Sequence, residues 1–489
     1  MVFYSLAFFY FFIIVYTALL LLNAISNSLQ KPDLFFKINK LLLLGASYFF
    51  YGYWDYRFLS LIVLSSVIAF WAGDRIFLNE DPKRKKRYLI IAILINLIIL
   101  GLFKYSNFFI ESANQVLRSF DLSIAYLNII LPVGISFYTF QAMSYPLDIY
   151  FQKTKPTKSF FDLALFIAFF PQLIAGPIVR ASHFLPQLLI PKKISIDNFF
   201  KGLQIFLFGL FLKIVIADKI GLIIDPIFES PTYYSNLSVW FAILGFTAQV
   251  FCDIAGYTEA AIGVALVLGY ELPINFKSPY IATDIIDFWQ RWHISLSAWF
   301  RDYVFSPLQF ARFKFLKNVA RDSSIRVGFN FMVTMLLIGI WHGPRWTYVL
   351  FGFVHGVGIF LSHLLNQNLG TRWTQPRPAL KYFKWAATLL FVILAMVLFR
   401  AENLTIASQI YAKVLYLQAD FINKDIDFSF ILSCFIGVTL FQFMLYKKEK
   451  DRFIFEHGTV LSYFFIVSMF LLIFLFPANE QRVFIYFQF

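Results

Sequence analysis

The chain has 489 residues, of which 60% are hydrophobic and only 14% charged, and its mean hydropathy is +0.69. A soluble domain carries about 25% charged residues, so a soluble enzyme is excluded, and two cysteines, Cys252 and Cys434, suggest neither a disulfide framework nor a metal cluster. The formal net charge of +14 falls in clusters between apolar runs, which reads as membrane topology rather than nucleic-acid binding.

The first 22 residues, MVFYSLAFFYFFIIVYTALLLL, lack a basic n-region and are too long for a signal core, so they read as an uncleaved first span. Further apolar runs lie near 40–53, 58–73, 88–103, 127–145, 160–179, 200–217, 237–252, 260–270, 329–343, 346–363, 385–399, 428–446 and 459–477. Several fall short of the roughly 20 residues that a perpendicular span needs. The expected fold is an all-α integral membrane bundle of about twelve crossings plus re-entrant segments. It forms one polytopic domain, 1–489, with a polar, Pro/Gly-punctuated core at about 132–356. No internal repeat is evident.

Basic residues set the orientation. KRKKR (83–87), QKTKPTK (152–158), Lys192 with Lys193, the cluster Arg312, Lys314, Lys317, Arg321 and Arg326, the stretch from Arg372 to Lys384, and KKEKDR (447–452) are assigned to the cytoplasmic side. Connectors 105–125, 219–235 and 401–427 face outward, and both termini lie outside when 160–179 and 284–300 are re-entrant.

Four segments of the core carry candidate chemistry. In FFPQLIAGPIVRASHF (169–184), Pro171, Gly176 and Pro177 interrupt an apolar run, which turns back or kinks and leaves Arg180 and His183 at its polar end. In FCDIAGYTEAAIG (251–263), Asp253, Tyr257, Thr258 and Glu259 interrupt an apolar helix, while Gly256 and Gly263 permit close packing. Asp253 could orient a histidine, pair with an arginine, or serve as a satisfied structural carboxylate.

The third segment is DIIDFWQRWHISLSAWFRD (284–302). Read as one helix, it pairs Asp287 with Arg291 at i,i+4 and aligns Gln290, His293 and Ser297 in a polar strip, with Trp289, Trp292 and Trp299 on other faces. Such a helix either lies at the interface or lines a tunnel. In the fourth, IWHGPRWTY (340–348), Trp341 and His342 close an apolar stretch, and Gly343 and Pro344 then break the helix. A histidine at a helix break inside a membrane domain suits a general base for a hydroxyl or thiol acceptor. His355 and His363 follow without neighbours that compel a catalytic role, and His457 is expected to be solvated. There is no GxSxG elbow, HExxH, P-loop or Cys/His metal spacing.

GPIVR (176–180), DFWQRWHISLSAWFRDYVFSPL (287–308) and WHG (341–343) resemble the signature blocks of the membrane-bound O-acyltransferase superfamily, in the branch that O-acetylates alginate, peptidoglycan and other surface glycans. The likeness runs from about 134 to 356, with FRAEN (399–403) as a further echo. It implies a helical bundle around a tunnel, with His342 as the catalytic histidine and His293 as the second core residue. Arg180, Asp253, Tyr257, Arg291, Trp292, Ser297 and Trp341 would be supporting or tunnel residues. It also implies acetyl-CoA as donor on the cytoplasmic side, no bound cofactor or metal, an extracytoplasmic partner of the SGNH transferase or esterase type, a surface polysaccharide as final acceptor, and a place in the bacterial inner membrane. The chain departs from the pattern at QFARFKF (309–315), which lacks paired glycines, and at Ala255 and Glu259, which stand where relatives have serine and aspartate. The rival readings are D-alanyl transfer to teichoic acid and, from another class, a transporter or flippase.

Overall fold

A computed structural model describes residues 1–192, 194–311, 319–320, 323–374, 378–416, 427–478, 482 and 484–487. Lys193, Arg312, Lys314, Lys317 and Arg321 lie outside them. Every regular element among the described residues is helical.

Among the described residues, eight helical stretches are long and apolar enough to cross a membrane: Leu6–Leu29, Pro32–Leu78, Pro82–Lys104, Asn236–Val267, Ser324–His342, Trp346–Gly370, Pro378–Arg400 and Phe428–Lys447. Val460–Leu475 is apolar but shorter. One pair of expected runs merges and another stays apart. The runs at 40–53 and 58–73 form two helices, Pro32–Asp55 and Leu59–Leu78, separated at the extended Asp55 and a 3₁₀ turn, Tyr56–Phe58. The runs at 237–252 and 260–270 form the single helix Asn236–Val267, because Asp253 and Glu259 are tolerated inside it. At 1.5 Å per residue, that 32-residue helix is about 48 Å long, well beyond a hydrocarbon core of about 30 Å.

The run at 160–179 does not make a span. It folds as Phe160–Ala168, breaks at Phe169, resumes for the four residues Phe170–Leu173, and then continues without regular structure to Arg180. Nine residues reach only about 13 Å. Its polar backbone lies inside protein, since 162–179 are buried throughout, as irregular backbone at membrane depth requires.

The described residues divide into two compact units. The first comprises 1–210, 257–273 and 454–470; the second comprises 211–256, 274–453 and 471–489. In the first unit, Gly263 meets Gly202 so closely that a Cβ at either would strike the other's carbonyl oxygen, as small-residue packing predicts. His457, expected in solvent, is partly exposed; one face of its ring stacks on Phe200 with centroids 4.3 Å apart, and its Nδ1 lies 3.4 Å from the exposed Asp197.

In the second unit, Ser324–His342 packs along the helix that begins at Trp346. Gly339 and Gly352 make this possible: a Cβ on Gly339 would meet the carbonyl of Tyr348, and one on Gly352 that of Met335. Two helices joined by only three residues thus lie backbone to backbone, and the turn between them carries His342 at its edge.

Candidate reaction centre

The segment 284–302 is not one helix. It breaks into Ile285–Arg291 and Ile294–Phe300, with His293 between them in the left-handed region at φ 45°. The alignment of Gln290, His293 and Ser297 along one helical face is therefore lost. The break is built by a distant strand of chain. Asn275 accepts the Ile294 N–H on its carbonyl (2.8 Å) and the Ser295 N–H and Oγ on its side chain (3.1 and 2.9 Å), while the Lys277 N–H bonds the Arg291 carbonyl at 2.9 Å. These bonds satisfy backbone groups that the helix would otherwise have paired.

The first half keeps its expected contacts. Asp284 caps it by accepting the Asp287 N–H at 2.8 Å, and Arg291 Nε donates to Asp287 at 2.6 Å. Ser297 Oγ donates to the Trp292 carbonyl at 3.2 Å. Trp292 is buried among Phe276, Tyr280 and Phe288, the last two stacked on it. A non-glycine residue held at positive φ costs of order 1 kcal/mol or more and persists where the surroundings over-determine it. Here they do, and the strained residue is a histidine.

His293 is 1% exposed, and neither ring nitrogen has a hydrogen-bond partner among the described residues. A buried imidazole so placed is well suited to receive a ligand group. Its ring stands edge-on to Trp341 (5.9 Å between centroids) and to Tyr486 (6.1 Å). His342 is equally buried and ends its helix as expected, with Gly343 fully extended after it. Its ring stacks on Tyr486 at 5.9 Å and lies 5.0 Å from Phe399, at the start of FRAEN. The Tyr486 hydroxyl is 3.2 Å from His342 Nδ1. With the ring proton on Nε2, Nδ1 accepts the phenolic O–H.

Asp253 takes a lysine as its partner. Lys213 Nζ lies 2.6 Å from Asp253 and 2.7 Å from Asp218, and the Asp253 Oδ2 accepts the backbone N–H of Ile485 at 2.8 Å. The carboxylate thus holds the chain next to Tyr486. Lys213 and Tyr486 are among the residues of this arrangement that the sequence did not single out. A lysine inside the apolar run at 200–217 is itself a signal, because charge at that depth is costly. Tyr486 gave none, being one of 26 tyrosines.

A cavity of about 520 Å³ is lined by both halves of the broken segment and by the helix that ends at His342. Its wall is mainly apolar, with Gln290, Ser297, Arg301 and Thr334 as polar points and Ile338, one turn before His342, on the same helix. Trp289 also lines it, and its indole N–H donates to His355 Nδ1 at 3.1 Å. Arg180 and Tyr257 belong to the first unit. Arg180 precedes the short helix Ala181–Phe184, and Tyr257 is buried against Phe3.

Comparison with known proteins gives a consistent picture. Residues 152–407 match the MBOAT, membrane-bound O-acyltransferase family. A protein of Pseudomonas aeruginosa named probable alginate O-acetylase is 38% identical over 77% of this chain and 69% of its own length. A peptidoglycan O-acetyltransferase of Helicobacter pylori is 36% identical over 76% and 72%. A teichoic acid D-alanyltransferase of Bacillus subtilis is 31% identical over 54% of this chain and 66% of its own length.

Proposed function

The chain belongs to the membrane-bound O-acyltransferase family, as a multi-pass membrane acyltransferase, and on that premise we propose that it passes an acetyl group across the bacterial inner membrane by way of its own Tyr486 hydroxyl. The observation that carries this reading is the 3.2 Å approach of that hydroxyl to His342 Nδ1.

Acetyl-CoA is the donor, on the cytoplasmic side. Carrying its phosphates through hydrocarbon would be prohibitive, whereas an acetyl group alone is small and neutral. The apolar cavity beside Ser297 and Ile338 suits the thioester end of the donor. His342 takes the phenolic proton as the Tyr486 oxygen attacks the acetyl carbon. The carbon–sulfur bond breaks, and the CoA thiolate leaves with the proton that His342 has gained. His293, edge-on to both Trp341 and Tyr486, donates from a ring nitrogen to the developing oxyanion.

The acetyl ester then faces an extracytoplasmic acceptor hydroxyl, that of an SGNH-type partner, which completes O-acetylation of a surface polysaccharide such as alginate or peptidoglycan. About twelve crossings would enclose the passage between the two sides. The acetyl reading is preferred to D-alanyl transfer because the O-acetylase relatives match 77% and 76% of the chain, against 54% for the D-alanyltransferase.

The test uses sealed vesicles of known orientation. Labelled acetyl-CoA should be consumed only from the side that exposes residues 83–87, and label should appear on Tyr486 and then on an acceptor confined to the opposite side. If donor and acceptor must share one compartment, the trans-membrane reading fails. If label reaches the acceptor without passing through Tyr486, the tyrosine relay fails.

A further inference from the structure

Six charged side chains of the second unit meet beside the reaction centre: Lys213, Asp218, Asp225, Asp253, Arg400 and Arg482. Three are basic and three acidic, so the group is electrically balanced. They surround a space of only about 20 Å³, about right for a single water. Their placement follows from local structure. Lys213 lies in a π-helical stretch, Phe211–Ala217, whose hydrogen bonds span five residues. In that wider turn a side chain five positions on comes round to the same side, which brings Asp218 to 2.7 Å from Lys213; in an α-helix, residues five apart point well away from each other.

Both arms of the group end on the same short segment. Lys213 holds Asp253, and Asp253 binds the Ile485 N–H. Arg400 holds Asp225 at 2.8 Å, and Asp225 pairs with Arg482. Gly221 leaves the space that the Arg482 guanidinium occupies; a Cβ there would collide with it. A charge group whose purpose was to tie helices together would not need to converge on residues 482–485.

Building on the relay through Tyr486, we infer that this balanced charge group is a latch: it seats Arg482 and Ile485 and thereby sets the reach of the Tyr486 hydroxyl to His342. Lys213, Asp225 and Arg482 are positioning residues, acting through the backbone of the segment and touching no substrate.

The test takes the full-length protein in lipid nanodiscs with labelled acetyl-CoA and compares Lys213→Met, Arg482→Gln and the charge-keeping Lys213→Arg. Three quantities are read: amide exchange at 484–487, acetyl label on Tyr486 after a single turnover, and kcat against KM for acetyl-CoA. Lys213→Met and Arg482→Gln should each raise exchange at 484–487 at least tenfold and cut label on Tyr486 at least tenfold, with KM within twofold of native. Lys213→Arg should stay within threefold of native in exchange and label. Native-like protection of 484–487 in both neutralised variants overturns the latch. Should Lys213→Met not fold, Arg482→Gln, whose charge lies on the segment itself, decides the matter. If the native protein never carries acetyl on Tyr486, the relay is refuted, and the exchange measurement still judges the latch by itself.

Discussion

The hydroxyl of Tyr486 and Nδ1 of His342 stand 3.2 Å apart although 144 positions separate them in the chain. In the proposed relay, a base whose proton donor is already in place needs no rearrangement of the protein before the acyl group arrives. Truncating His342 to alanine should lower acyl transfer by about 10²–10⁴-fold. His342→Gln keeps hydrogen bonding without basicity and should be nearly as inactive. Both are measured by transfer of label from acetyl-CoA in protein that still purifies as a monodisperse species. Native turnover by the glutamine variant would remove His342 from the role of base.

Tyr486→Phe separates two roles by magnitude. If the hydroxyl merely orients His342, its loss forfeits one hydrogen bond, worth about 0.5–1.5 kcal/mol, and turnover falls roughly tenfold at most. If the hydroxyl carries the acetyl group, transfer to the external acceptor should fall by more than about a hundredfold. Steady-state rates with acceptor present distinguish the two.

His293→Asn tests the strained histidine. Asparagine tolerates positive φ better than most residues, so the kink held by Asn275 should survive and the melting temperature should stay within a few degrees of native. Turnover should nonetheless fall at least about tenfold, because the imidazole is gone. A large drop in melting temperature with turnover preserved per folded molecule would make His293 a structural residue.

Gly352→Ala would press a methyl group against the Met335 carbonyl in the tightest part of the pair formed by Ser324–His342 and the following helix. Overpacking of this kind costs about 1–3 kcal/mol. The expected result is a lower unfolding temperature in detergent, with activity falling in step as His342 shifts. An unchanged unfolding temperature would show that the helices can part without cost.

Sidedness is read by single cysteines at exposed positions. Lys86 and Glu449 should be labelled by an impermeant reagent only from the cytoplasmic side, and Gln115 and Leu415 only from the outside. Cytoplasmic labelling at Leu415 would force the spans of the last third to be recounted.

What the chain discloses by itself depends on how local the cause is. The end of the helix at His342 was legible because Gly343 and Pro344 sit beside it. The Asp287–Arg291 pair was legible from its i,i+4 spacing. The break at His293 was not, since helical periodicity runs smoothly through 284–302 and the groups that interrupt it belong to Asn275 and Lys277. The partner of Asp253 was hidden for a similar reason: it lies 40 positions earlier, on a π-helical turn that no apolar pattern announces. Lys213 could have been suspected from charge in an apolar run. Tyr486 could not, because its significance comes entirely from the place where distant helices hold it.

The balanced charge group also bears on how the protein is made. Residues 482–487 leave the ribosome after every other member of the group has been synthesised. Until they arrive, Asp253 lacks the Ile485 N–H and Asp225 lacks one of its two arginines. A nascent chain already threaded into the bilayer therefore holds acid that is only partly compensated, and a His342 that lacks the Tyr486 hydroxyl. Docking of Arg482, Ile485 and Tyr486 supplies both at once, so that in the proposed relay the acyl-accepting hydroxyl and electrostatic completion arrive in the same event.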